Sequence, residues 1–277
     1  MREVIVIDIG GTYMRFACFK NGKVLNYQKK DTPKQRDKLL KELIGNIKEY
    51  MNKNVKGIGI SCAGTIDRGF IKDSPNLPLK NFNLKKYLQK FYRVKIEIEN
   101  DGNCFELAEA KFGVKKKNFF ILTLGTGIGG GIIINGDLYK GKYGAGELGH
   151  IILNQGKDLE YFAGANAIKR LIKKYYKVKS VDKSLIMKIL HKSTSKSFKI
   201  RDEVADYVGQ GIASLTQVFN PEVVVLGGGM RNLGRPFLNQ IKQKAKKHSN
   251  SLPLKAPEIR WGNLKHSELV GAGMLVS

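Results

Sequence analysis

Apolar residues along this chain come in short runs that end on glycine turns. From Val4 to Leu25, VIVIDIGGTYMRFACFKNGKVL reads as a strand, a Gly-Gly-Thr turn, a second strand and an Asn-Gly turn. The stretch FILTLGTGIGGGIIINGDLY, from Phe120 to Tyr139, repeats that plan: Gly11-Thr12 falls on Gly125-Thr126 and Asn21-Gly22 on Asn135-Gly136, 114 positions later. Two further runs, VKGIGISCAGTID from Val55 and EVVVLGGGM from Glu222, also place an apolar strand before a glycine turn. Each half is therefore predicted to hold a β-hairpin, then a helix, then another strand.

Helical spacing fills the gaps. Thr32-Pro33 predicts a helix start, with Thr32 as N-cap and Pro33 in the first turn, followed by Leu39, Leu40, Leu43, Ile44, Ile47 and Met51 on one face. A second helix is predicted from about Gly102 to Phe112, stopped by Gly113. Others are predicted near 165–178, 202–219 and 235–248, and the closing SELVGAGMLVS reads as a helix that packs back on the first half. The sum is an α/β protein of two lobes, residues 1–117 with the helix 266–277 and residues 118–265, whose site lies in the cleft between them.

Composition narrows the class. The chain has 277 residues, 42% of them hydrophobic, enough for a large core. No apolar run approaches the length of a membrane span, and a strand begins almost at Met1, so a cytoplasmic protein without membrane partners is expected. Cys18, Cys62 and Cys104 are scattered in apolar surroundings and read as buried free thiols. The formal net charge of +25 suits a polyanion, yet the lysines fall on outer helix faces and in loops without an arginine-rich arm or helix-turn-helix. No specific nucleic-acid partner is expected.

The glycine loops carry the candidate chemistry. Gly125, Gly127 and Gly130 match the dinucleotide-binding spacing, but a strand rather than a helix follows, so a pyrophosphate would lack the helix N-terminus it needs. The sequence Asp8-Ile9-Gly10-Gly11-Thr12 ends a strand on a carboxylate, then offers bare backbone amides and a hydroxyl to a phosphate, with Asp8 placed to orient hydrated Mg²⁺. Gly125-Thr126-Gly127 repeats the arrangement. Asn100-Asp101 stands where a strand from Val94 to Glu99 passes into a helix, and Asp101 is either a helix cap or a general base for a hydroxyl. Glu147 and His150 in GAGELGH lack the further ligands of a metal site and suit hydrogen bonding to a polyol.

Seven of these segments, DIGGTYMR, GISCAGTID with SPNLP behind it, ENDGN, LGTGIGGG, GELGH, LEYFAGANAI and VVVLGGGM, occur in the order and spacing of one family. The chain resembles the ROK family of sugar kinases and repressors, in the actin-like ATPase superfamily. That resemblance implies a two-lobed, ribonuclease H-like fold with an interlobe active site, and phosphorylation of the 6-hydroxyl of glucose or a similar hexose by ATP with Mg²⁺. It implies a homodimer in carbohydrate metabolism. By position, Asp101 matches the catalytic base. Gly64, Asn76, Asn100, Glu147, His150 and Glu160 match sugar contacts, and Asp8, Gly10, Gly11, Thr12, Thr126, Gly127, Gly228 and Gly229 fall where the family holds Mg²⁺ and ATP.

Two departures stand out. Many relatives bind zinc through a cysteine-rich loop after the Gly-His pair, whereas HIILNQGKDLE, from His150 to Glu160, has no cysteine. No structural zinc is expected, and His150 then needs a protein group to orient it. Many relatives also carry Gly-Trp after the asparagine of SPNLP, which leaves the preferred sugar open among glucose, fructose, mannose and N-acetylmannosamine, and the donor open between ATP and polyphosphate. A sugar-sensing regulator is the rival from another class. The first phosphate loop begins at Asp8, so no DNA-reading segment is expected ahead of it.

Overall fold

A computed structural model describes residues 3–139, 141–142 and 145–276. Gly144, which opens GAGELGH, and Ser277 lie outside the described residues. In chain order the elements are β1 (Glu3–Ile9), β2 (Tyr13–Lys20), β3 (Lys23–Asp31), α1 (Arg36–Tyr50), β4 (Val55–Cys62), β5 (Thr65–Asp67), β6 (Phe70–Asp73), β7 (Phe82–Asn83), α2 (Leu84–Leu88), β8 (Lys95–Asn100) and α3 (Asp101–Ala108). They continue with β9 (Phe119–Leu124), β10 (Ile128–Ile134), β11 (Asp137–Leu138), β12 (Ile152–Asn154), β13 (Lys157–Asp158), α4 (Leu159–Ala163), α5 (Ala165–Tyr176), α6 (Lys183–Leu190), α7 (Ser195–Phe219), β14 (Val223–Gly227), α8 (Gly234–Ser249), β15 (Glu258–Trp261) and α9 (Ser267–Met274).

Met1–Lys115 with Asn263–Ser277 make one compact unit and Lys116–Gly262 the other. Their main sheets share one plan, β3-β2-β1-β4-β8 in the first and β11-β10-β9-β14-β15 in the second. In each, three antiparallel strands are followed by two that run parallel to the central one. The repeat in the sequence is thus a repeat of topology. The second hairpin is one residue tighter: Ile9 faces Met14 around Gly10–Tyr13, whereas Leu124 faces Ile128 around Gly125–Gly127.

In the first unit β1 is buried along almost its whole length, which explains its unbroken apolar run. Ile5, Ile7 and Ile9 point to Leu39, Leu43 and Ile47 of α1. Val4 and Val6 point the other way, to Ala108 of α3 and Leu269 and Ala272 of α9. The last helix therefore closes the second face of the first sheet. It comes close because glycines let it: a Cβ on Gly59 would land on the Ala272 carbonyl, and one on Gly271 on the Cys104 carbonyl. In the second unit, Phe120, Leu122, Val224 and Leu226 pack with Val208 and Ile212 of α7 and Phe237 and Ile241 of α8. Cys18, Cys62 and Cys104 are buried and free. Among the described residues no helix is long and apolar enough to cross a membrane.

Several local expectations need correction. Thr32 does not cap α1, which starts at Arg36 behind an extended Gln35 without a side-chain cap. Its N–H instead donates to the Thr12 carbonyl and its hydroxyl to the Gly10 carbonyl, so the strand register takes both groups. Gly113 does end the helical run, as expected, but without a left-handed conformation. The helix begins at Asp101 and passes into a π-helical turn over Glu109–Gly113, where a Cβ on Gly113 would meet the Glu109 carboxylate. Finally, α7 starts seven residues before the expected 202, capped by the Thr194 hydroxyl, because its Lys- and Ser-rich first turns carry little apolar periodicity.

Candidate active site

In the first unit the candidates gather at the carboxyl ends of three neighbouring parallel strands, where α/β sheets place ligands. Asp8 of β1, Ser61 of β4 and Glu99 of β8 are register partners across the sheet, and Asp101 follows directly after β8. The Ser61 hydroxyl donates to Asp8 Oδ1 at 2.9 Å, and Arg15, opposite Asp8 in the hairpin, pairs with Oδ2. Burial, reinforced by the negative charge of Glu268, raises the Asp8 carboxyl to about 6 against the pull of Arg15.

The loop after β1 is fixed from several sides. Gly10 N–H donates to the Tyr13 carbonyl at 3.0 Å, Thr32 holds the Gly10 carbonyl at 2.6 Å, and the exposed Lys34 ammonium donates to the Gly11 carbonyl at 2.6 Å. A Cβ on Gly11 would lie 2.6 Å from Asn76 Cβ, so Asn76 rests against this loop only because Gly11 lacks a side chain. Thr12 is exposed on the same turn.

Asn100 takes the N-cap position ahead of Asp101. Its Oδ1 accepts from the N–H groups of Gly102 at 2.8 Å and Asn103 at 3.2 Å, so Asn100 is the N-cap of α3. Its Nδ2 donates to the Gly64 carbonyl at 2.8 Å. Gly64 has φ +131°, a conformation that favours glycine, and a Cβ there would strike the Asp73 carbonyl. Asp101 Oδ1 also accepts from the Gly102 N–H, at 3.0 Å, so it shares the first turn of the helix with the Asn100 cap. Burial, and then the charge of Asp8, raise its carboxyl above the ordinary range.

The second unit assembles its own set. Gly125 N–H donates to the Gly127 carbonyl at 3.0 Å, and Ala165 N–H at the start of α5 to the Thr126 carbonyl at 3.1 Å. Gly228 and Gly229 follow β14, the parallel neighbour of β9, and Gly228 adopts φ +80° against the Leu124 backbone. Thr126, Gly127, Gly228 and Gly229 are thereby brought to one end of this sheet. Glu160 joins them: its Oε2 accepts from Ile128 N–H at 2.8 Å, in space a Cβ on Gly127 would fill.

Glu147 and His150 sit on one 3₁₀ turn, with His150 N–H donating to the Glu147 carbonyl at 3.0 Å. His150 Nδ1 lies 2.8 Å from Asp158 Oδ2. This bond raises the imidazole pKa and lowers that of Asp158, so both partners report the same attraction. Asp158 is the orienting group that His150 was expected to need. Among the described residues no three His, Cys, Asp or Glu side chains cluster as a metal site.

Ser61, Arg15, Lys34 and Asp158 escaped the sequence reading, and Thr32 was read only as a helix cap. Asp158 had a signal, since an aspartate directly before LEYFAG is an N-cap at the head of a helix that carries a candidate. The others depend on strand register, which pairs residues far apart in sequence.

Residues 4–277 match the profile of the ROK family. A glucokinase of Thermotoga maritima is 32% identical over 87% of this chain and 86% of its own length. A xylose repressor of Caldicellulosiruptor bescii is 30% identical over 87% of this chain and 69% of its own. Among solved structures, a ROK family glucokinase from Streptomyces griseus in complex with glucose and AMPPNP superposes with a TM-score of 0.84 at 25% identity, over 99% of both chains.

Proposed function

The chain belongs to the ROK family, and we propose that it is a sugar kinase that moves the γ-phosphoryl group of ATP to the 6-hydroxyl of glucose or a related hexose. One observation carries this: Asp101 stands at the strand ends with a raised proton affinity, burial and the charge of Asp8 outweighing the Gly102 N–H that it accepts, while Asn100 supplies the N-cap of α3. A carboxylate in that state is a better base than an ordinary aspartate at neutral pH. Asp101 accepts the proton of the attacking hydroxyl. Gly64, Asn76, Asn100, Glu147, His150 and Glu160 bind the sugar, Asn100 chiefly by holding Gly64 and α3 in place.

Gly10, Gly11 and Thr12 of the first unit and Thr126, Gly127, Gly228 and Gly229 of the second are assigned to ATP, with the Thr hydroxyls as donors, and Lys34 adds a positive charge at the first loop. Mg²⁺ is a hard ion that keeps most of its waters and leans on phosphate oxygens, and Asp8, whose oxygens also take Ser61 and Arg15, would hold it through water. When bound it supplies neutralisation of the phosphate charge. Positioning of the hydroxyl and the phosphoryl group is left to the protein.

The repressor among the relatives supports a second reading, a regulator that senses sugar without turnover. The test is to cross a panel of hexoses with ATP, GTP, ADP and polyphosphate and follow sugar phosphate. Hexose-dependent phosphate transfer is the expected result. Its absence, together with a sequence-selective DNA complex that survives raised salt, would favour the regulator.

A further inference from the structure

Two of the proposed sugar contacts are fixed by one carboxylate. Asp158 Oδ1 accepts from Tyr161 N–H at 2.7 Å and so caps α4, whose second residue is Glu160. Asp158 Oδ2 takes His150 Nδ1 at 2.8 Å. Glu160 is then tied at its far end to Ile128 N–H, at the edge of the glycine loop. The His150 side chain is 55% exposed, so little packing restrains the ring, whereas Asp158 is only 26% exposed. An ionised carboxylate is acceptor only. Neutral His150 is therefore held with its proton on Nδ1, and Nε2 is presented as an acceptor to a ligand hydroxyl.

We propose that Asp158 is a positioning residue for hexose binding, one that sets the ring orientation and tautomer of His150 while it anchors the helix turn bearing Glu160, without touching sugar or nucleotide itself. The role rests on the sugar-kinase function proposed above. It differs from a simple helix cap in a way that substitutions can separate. Serine caps helices about as well as aspartate but is too short to reach the imidazole. Asparagine keeps an oxygen for Tyr161 N–H and turns its NH₂ toward Nδ1, which drives the His150 proton to Nε2 and makes that atom a donor.

The experiment compares the wild-type chain with Asp158→Ser, Asp158→Asn, His150→Ala and the double variant His150→Ala/Asp158→Ser. Three quantities are read: the glucose Kd by calorimetry without nucleotide, the sugar and ATP KM with kcat, and the His150 imidazole ¹⁵N shifts against pH. The carboxylates that face His150 are Asp158, Glu160 and Glu147. In Asp158→Ser the His150 pKa should fall and the Nδ1–H tautomer lose its dominance. Glucose Kd and sugar KM should rise about five- to tenfold, the scale of one lost hydrogen bond, with ATP KM unchanged. Asp158→Asn should show the inverted tautomer and a similar loss of sugar affinity. In the His150→Ala background the serine change should add little.

An unaltered His150 titration in Asp158→Ser, or an equal loss of sugar affinity with and without His150, overturns the positioning role while leaving the kinase intact. A wild-type chain that neither binds nor phosphorylates any hexose takes both down together.

Discussion

Asn100 and Gly64 are joined by a 2.8 Å hydrogen bond from the asparagine Nδ2 to the glycine carbonyl, and the same side chain caps α3 through its oxygen. One amide thus couples the turn after β4 to the helix that begins with Asp101. Asn100→Ala should lower stability by about 1 kcal/mol or more, since a cap and a turn contact are lost together. A thermal melt within error of the wild type would show that neither bond matters.

Asp101→Asn should lower kcat by about 10²- to 10⁴-fold, the usual weight of a general base. Turnover near the wild-type value at saturating sugar and ATP would remove Asp101 from the chemistry. Stability should move the opposite way. A carboxyl with a raised folded-state pKa favours the fold fully below its unfolded pKa and loses that benefit as pH rises through the folded value. The neutral amide escapes this loss, so the variant should melt higher than the wild type at neutral pH and gain little in acid.

The same elevation predicts a pH-rate profile. In the wild type kcat should fall with acidification on a limb that lies above the ordinary aspartate range, because Asp101 must be ionised to accept a proton. A limb at or below pH 4 would contradict the link between burial and base strength.

Ser61→Ala should destabilise the first unit by about 1–3 kcal/mol, because Ser61 is fully buried and its hydroxyl is one of two partners of the buried Asp8. Denaturant unfolding of the variant, read with unchanged m-value, measures this directly. An effect under about 0.5 kcal/mol would mean that Arg15 alone satisfies Asp8.

Gly59→Ala should be among the most damaging single-methyl insertions in this protein. The added carbon would occupy the place of the Ala272 carbonyl, so β4 or α9 has to move. A loss of about 1–3 kcal/mol is expected, larger than for Gly45→Ala on α1, where nothing lies within 4 Å. Equal melting temperatures for the two variants would show that α9 adjusts freely.

What the sequence made legible follows the range of each interaction. The repeated hairpins, the strands before glycine turns and most helices are written in local periodicity, and the family segments marked Asp8, Asp101, Glu160 and the glycine loops. Thr32 misled because its cap-like setting is local, while the carbonyls it binds belong to a loop about twenty residues earlier. The sequence offered Asp101 as the cap, whereas the side chain of Asn100 takes that position, a difference of one residue that residue type does not decide. The glycine before Val114 looked like a helix stop, and it also makes room for the carboxylate of Glu109. Asp158 and His150 are eight residues apart across a short hairpin, a distance too long for helical spacing and too irregular for strand alternation.

The position of α9 has a consequence for biogenesis. Val4 and Val6 are synthesised long before Leu269 and Ala272, the α9 residues they pack against. Until then one apolar side of the first sheet stays open to water and to chaperones. A nascent chain stalled short of Ser267 should therefore be a form prone to aggregate.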